Sequence, residues 1–402
     1  MNSSPKSLKS LEKRLLQFPQ PAPDARRHSQ RLVERIADEI QQQGPVTFER
    51  YMSLALTAPG LGYYVSGNQK LGGAGDFVTA PEISPLFSRC LARQCEQVLR
   101  AIAVGGPADI LEFGAGSGVM AADILLELEQ RDCLPGRYFI LEVSADLKQR
   151  QLQTLQRKAP QLVSLVEWLE ALPENIFRGV VLSNEVLDAL PVHRFFKDAE
   201  SGGEYYVDWD GERFVWHKGK FNNEKVKQRS EALLAQLPQP YVSELNLAAD
   251  AWVGSVADIL QQGVAIIIDY GFPQAEYYHP QRSQGTLMCH YRHRAHDDPF
   301  VYPGLQDITA HVDFTAVAQA AYEAGLQIAG YNSQAFFLMA NGLEEFARSL
   351  DADDPAYLKM AQQIKTLTMP GEMGELFKVM ALAKNYQQPL QGFALQDMRG
   401  KL

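Results

Sequence analysis

The sequence predicts an α/β protein built on a mostly parallel, Rossmann-like sheet. Two observations carry that expectation. From Ala108 onward, short apolar runs alternate with segments of helical periodicity, the rhythm of strand–helix–strand units. A glycine turn, Gly114–Gly118, follows the first run directly, where an open α/β sheet binds its ligand.

The bulk numbers agree with a folded enzyme-sized chain. It has 402 residues, 46% hydrophobic and 21% charged, ample for a sizeable core. Basic residues number 38 against 48 acidic ones, a net charge of −10. That balance argues against a general nucleic-acid binder, which needs a basic face for phosphates, and suits a cationic partner better. Cys90, Cys95, Cys133 and Cys289 show no CxxC spacing, so a reducing compartment is the simpler reading. No apolar run reaches the ~18 residues of a membrane span. Residues 1–27 read as a flexible N-terminus; their basic residues also resemble a mitochondrial presequence, though Glu12 and Asp24 count against it.

Along the chain, apolar spacing predicts a helix from Ser29 through Ile40, stopped by Gly44-Pro45. A second helix starts after Thr47 and ends at Ala58-Pro59-Gly60. A glycine-dense loop, Gly72–Phe77, precedes a helix opened by Pro81 and running to about Arg100. The sheet strands are expected at 108–113, 138–143, 163–166, 179–183 and 264–269, with helices over 119–129 and 145–158. Between the fourth and fifth strands, Phe195-Phe196, Tyr205–Val207 and Phe214–Trp216 read as hairpin strands around Asp210-Gly211, so 191–262 is expected to be an α+β insertion. Residues 271–307 read as irregular. Helix 313–324, strand 326–331, helix 343–350 and a strand near 377–383 complete the pattern, with a tail from 386 to 402.

The glycine loop narrows the ligand. Gly114, Gly116 and Gly118 depart from GxGxxG because the third glycine comes one residue early, which weakens a dinucleotide reading. Glu112, two residues before the first glycine, suits the cationic amino group of S-adenosylmethionine, directly or through water. Glu142, at the end of the second strand, can accept both hydroxyls of a ribose. Singly, these residues also read as a tight turn and a surface acid.

Several motifs then fall into one series: Gly44–Met52, Pro59–Tyr64, Gly75–Ser84, Glu112–Gly118, Ser183-Asn184-Glu185-Val186-Leu187-Asp188-Ala189-Leu190-Pro191, Ile268–Gly271, His311–Phe314 and Met373–Lys378. This series resembles the MidA family of class I S-adenosylmethionine-dependent methyltransferases. The likeness spans residues 30–385 or so. It implies a class I methyltransferase fold over 105–385, with a helical N-terminal lid over 28–104. It also implies a protein arginine methyltransferase making symmetric dimethylarginine. Eukaryotic members are mitochondrial complex I assembly factors that methylate a complex I subunit. The short N-terminus looks more like a bacterial, cytoplasmic member.

With that resemblance, the candidate chemistry sharpens. A guanidinium keeps its proton in water and its lone pairs are delocalised, so acids must grip it and localise its charge. Glu185 and Asp188, after the fourth strand, fit that need, and Asn184 could orient cofactor or substrate. Helix capping explains all three equally well by residue type. Asp76 could contact the methionine end of the cofactor, and Glu82 could cap the helix after it. Tyr63, Tyr64 and Phe77 could shield the methyl group or simply pack. His311 and Asp313 make a catalytic pair by type, or Asp313 caps helix 313–324. Cys289-His290-x-x-His293-x-x-His296 is crowded with cations, which disfavours a metal. The insertion is a candidate surface for a homodimer or a substrate clamp. Alternatives remain a small-molecule or RNA methyltransferase on the same fold, or a non-catalytic assembly protein.

Overall fold

The computed structural model describes residues 18–65, 79–173, 177–199, 201–348 and 355–402. Expectations for residues 1–17, for the loop Gly72–Phe77 and for Asp76 lie outside these residues. The chain divides into two compact units. One comprises Met1–Phe77, Pro191–Leu245 and Pro280–Ala310; the other comprises Val78–Leu190, Asn246–His279 and His311–Leu402.

The second unit holds the sheet. Its strands are β1 (Asp109–Phe113), β2 (Tyr138–Leu141), β3 (Val166–Leu169), β4 (Phe177–Asn184), β5 (Leu260–Phe272), β6 (Val312–Asp313), β7 (Gln327–Ser333) and β8 (Phe377–Lys384). Their order is β7-β8-β5-β4-β1-β2-β3, with β6 beside β5. Every pairing from β3 across to β5 is parallel, as is β5 with β6; β8 alone runs antiparallel, to β5 and β7. The predicted α/β, mostly parallel sheet is therefore present.

Alternation along β5 builds a core on each face. Ile266 and Ile268 join Ile110, Val180 and Leu182 on one side, while Ala265 and Ile267 join Leu111, Val181 and Val317 on the other. Both faces are thus buried, as a parallel sheet requires. Each such isoleucine contributes about 1.5–3 kcal/mol through burial. The loops at the carboxyl ends of β1, β2, β4 and β5 are left to build a site.

Several expectations shift at their edges. The predicted helix from Pro81 is two helices, Ala80–Ile83 and Pro85–Ile102. Pro85 biases its predecessor away from helix, and Ser84 is extended at φ −155°. The third strand lies at Val166–Leu169 rather than 163–166, because Pro160 starts a 3-10 turn that runs to Leu165. Helix Pro355–Thr368 had no counterpart in the sequence reading.

The first unit contains an antiparallel sheet of Val46–Thr47, His193–Lys197, Gly202–Trp209, Phe214–Gly219 and Tyr241–Leu245. The hairpin around Asp210-Gly211 is present. It is a four-residue loop in which Asp210 Oδ1 accepts from the N–H groups of Glu212 and Arg213 at 3.0 Å each. Thr47 caps helix Phe48–Thr57, accepting from Arg50 N–H at 3.1 Å. Leu32 and Ile36 of helix Pro23–Gln43 pack with Phe48 and Met52. Residues 271–307, expected to be irregular, include a three-stranded sheet of Met288–Tyr291, Arg294–His296 and Asp307–Thr309. Its strands are three or four residues long, too short for alternation to register.

Candidate active site

The glycine loop leaves β1 and enters α1 (Val119–Gln130). Gly114, Gly116 and Gly118 all have positive φ, at 63°, 54° and 79°. L-residues with a Cβ rarely adopt that region. Space is short as well. A Cβ on Gly118 would stand 2.9 Å from Gln151 Cα, and one on Gly114 would stand 3.2 Å from Val186 Cγ2. The loop therefore needs glycine for conformation and for close approach, and it presents bare backbone at the carboxyl end of the sheet. Ser117 Oγ hydrogen-bonds the Glu82 carboxylate.

Glu142 follows β2 with both oxygens engaged. Oε1 accepts from Ser144 N–H at 2.8 Å and Oε2 from Gln151 Nε2 at 3.1 Å. Gln151, on α2 (Ala145–Lys158), also donates to Gly116 O at 3.1 Å, and its Oε1 accepts from Trp168 Nε1 at 2.8 Å. Glu112 is only 1% exposed and accepts from Tyr138 Oη at 2.7 Å. Burial pushes its carboxyl up to about 7, against the lowering effect of the tyrosine hydroxyl. These groups offer what S-adenosylmethionine needs: a close backbone cradle, a buried acid for a cation and an acid beside the crevice for hydroxyls.

The second half of the site lies where β4 and β5 end. No helix follows β4; residues 185–190 form turns. The helix-capping role left open for Asn184, Glu185 and Asp188 therefore has no helix to serve. Glu185 sits at φ 52°, a left-handed conformation that costs a non-glycine residue on the order of 1–3 kcal/mol. Its N–H donates to Ile268 O at 2.9 Å, and Asn184 Nδ2 lies 3.3 Å from Glu185 Oε1. Asp188 is 3% exposed; burial pushes its carboxyl up to about 6, while a hydrogen bond from Tyr270 lowers it. Asn184 Oδ1 and Asp188 Oδ1 are buried acceptors without a hydrogen-bond partner among the described residues. Val186 touches the position of a Gly114 Cβ, so this turn and the glycine loop are neighbours.

Two residues of the Ile268–Gly271 motif, to which the sequence assigned no role, organise this turn. Asp269 is fully buried on β5, and Oδ2 accepts from the N–H groups of Val186, Leu187 and Asp188 at 3.3, 3.0 and 3.3 Å. Burial and the adjacent Asp188 and Glu185 push its carboxyl well above the usual range. Tyr270 follows it. The available signal was one carboxylate ending an Ala-Ile-Ile-Ile run, where only a satisfied charge is tolerated.

His311 packs its ring edge-on against Tyr270 at 5.1 Å and stacked on Phe272 at 5.4 Å. Asp313 is the N-cap of α3 (Phe314–Glu323), its Oδ1 accepting from the N–H groups of Thr315 and Ala316 at 3.1 Å each. Of the two roles the sequence left open for Asp313, capping is the one this geometry fills.

Comparison with known proteins decides the family. Residues 90–332 match the model described as S-adenosyl-L-methionine-dependent methyltransferase. The chain belongs to this family. It is 30% identical to the mouse protein arginine methyltransferase NDUFAF7, mitochondrial, over 87% of this chain and 84% of the relative. The zebrafish protein of the same name is 28% identical over 92% and 93%. A crystal structure from Burkholderia thailandensis bound to S-adenosyl-homocysteine is 44% identical, covers 96% of this chain and 100% of that one, and superposes with a TM-score of 0.91. As a member of the family, the chain is a class I methyltransferase that uses S-adenosylmethionine. No helix among the described residues is long and apolar enough to cross a membrane.

Proposed function

We propose that this methyltransferase acts on an arginine presented by a partner protein, with Glu185 and Asp188 as its acceptor-site acids. The observation that carries the reading is a pair of buried acceptors without a partner among the described residues, Asn184 Oδ1 and Asp188 Oδ1, beside a left-handed Glu185. A guanidinium brings five N–H donors in a planar fork, the donor-rich counterpart of such a site. The names of the mouse and zebrafish relatives point the same way.

In this reading Gly114, Gly116 and Gly118 cradle the cofactor, Glu142 accepts from its ribose, and Glu112 serves its methionine end. When bound, S-adenosylmethionine would supply a methyl carbon on a positively charged sulfur, and the sulfur would keep the electron pair of the broken carbon–sulfur bond. Glu185 holds the guanidinium and localises its charge, which leaves one nitrogen more nucleophilic. As nitrogen gains the methyl carbon, it must lose a proton. Asp188, raised to about 6 by burial, is suited to accept it and pass it to solvent. His311, held by Tyr270 and Phe272, borders this group and assists the proton's exit.

The resemblance extends the proposal to symmetric dimethylation of a respiratory complex I subunit. The 44% identity to the Burkholderia chain, against 28–30% for the mitochondrial relatives, supports a bacterial, cytoplasmic setting. Mass spectrometry of arginine methylation in matched cells with and without the gene tests the substrate class. Loss of a methylated arginyl peptide is expected; an unchanged arginine profile alongside a lost methylated metabolite or nucleotide overturns it.

A further inference from the structure

Asp269 stands out among the buried charged groups. It closes the apolar run Val264–Ile268 on β5 and is 0% exposed. Three consecutive backbone N–H groups, of Val186, Leu187 and Asp188, converge on its Oδ2, and Tyr270 N–H reaches Oδ1 at 3.0 Å. Such convergence normally belongs to a helix N-terminus or an anion-binding turn. Here a carboxylate of the protein itself fills the place. Together with the bond from Glu185 N–H to Ile268 O, it ties residues 185–188 after β4 to the end of β5. The left-handed backbone of Glu185 would otherwise relax, since strained residues persist only where their surroundings over-determine them.

We propose that Asp269 is a positioning residue for methyl transfer: by gathering the N–H groups of residues 186–188, it holds Glu185 left-handed and aims the Asp188 carboxyl at the acceptor site. The proposal rests on the reading that Glu185 and Asp188 serve the acceptor. Asp269 does not touch substrate. It acts through the turn, and the carboxyls of Asp188 and Glu185 lie near enough to raise its own. Tyr270 hydrogen-bonds Asp188, with the His311 ring against it.

Asp269→Asn keeps the shape, withdraws one acceptor oxygen and presents an amide that can accept the N–H groups on one side only. The expected result is a kcat lower by about 100-fold, the scale of a misplaced catalytic group. The KM for S-adenosylmethionine should stay within about threefold, since the glycine loop and Glu142 are untouched. A purely structural role would lower the folded fraction and leave kcat per folded molecule unchanged, which overturns the proposal. Should the variant not fold, hydrogen exchange on the wild-type protein decides. The amides of Val186, Leu187 and Asp188 are expected to be protected at least 100-fold, and free exchange at all three overturns the clamp. Glu185→Gln separates this proposal from the reading beneath it. Normal turnover by that variant means the acceptor-site reading is wrong. An inactive Glu185→Gln beside a fully active Asp269→Asn means that only the positioning role is wrong.

Discussion

Gln151 and Glu142 are joined by a 3.1 Å hydrogen bond from Nε2 to Oε2. The same nitrogen reaches Gly116 O at 3.1 Å, and Trp168 of β3 donates to Gln151 Oε1 at 2.8 Å. One buried amide thus ties the glycine loop, the acid after β2 and the outer strand into a single rim. Gln151→Leu keeps the volume and removes every one of these bonds. Leaving Glu142 and Gly116 short of a donor should cost on the order of 1–3 kcal/mol. Titration calorimetry with S-adenosylhomocysteine should show affinity weakened by about 10- to 100-fold. Unaltered affinity would remove Gln151 and Glu142 from the cofactor site.

Gly118→Ala tests the loop from its other side. At φ 79° and 2.9 Å from Gln151 Cα, the new Cβ meets both strain and backbone. A destabilisation of roughly 1–3 kcal/mol is expected, with weaker binding of S-adenosylhomocysteine. A variant that melts and binds as the parent does would show that the loop relaxes freely.

Glu112 makes stability depend on pH. Its carboxyl is raised to about 7 in the fold, whereas an unfolded chain holds a glutamate near ~4.3. The folded state therefore binds this proton more tightly. The resulting stabilisation is complete below about pH 4 and is lost as pH rises through about 7. Glu112→Gln mimics the protonated form and still accepts from Tyr138. In urea melts it should exceed the wild type by on the order of 3–4 kcal/mol at pH 8, with the gap closing at pH 4. A gap independent of pH would contradict the burial of this charge.

Asp313 caps α3, so Asp313→Ala should lose about 1 kcal/mol of stability, read from the urea midpoint. Activity that falls further than the folded fraction would return Asp313 to the catalytic set beside His311.

Much of this architecture was legible because strong signals coincided. Gly114–Gly118 sits between an apolar run and a periodic helix, and helix 145–158 was read to the residue. Other parts carried no local signal. Gln151 is one of several glutamines along a polar helix, and only the approach of Gly118 explains its burial. Asp269 looked like the end of a strand; its partners lie more than eighty residues earlier in the chain. The residues after β4 read equally as a helix start, since Ser-Asn-Glu-x-x-Asp is capping chemistry. The clamp on Asp269, a tertiary contact, decided otherwise. Strands Arg294–His296 and Asp307–Thr309 are too short for periodicity to reveal.

Glu185 is proposed to serve an arginine acceptor. The most direct test is to return either the wild-type gene or Glu185→Gln to cells lacking it, and to compare arginine methylation by mass spectrometry. Binding of S-adenosylhomocysteine by the purified variant serves as the control for folding. The wild type is expected to restore a methylated arginyl peptide, and Glu185→Gln, still binding S-adenosylhomocysteine, is expected not to. Full restoration by Glu185→Gln would contradict that proposal.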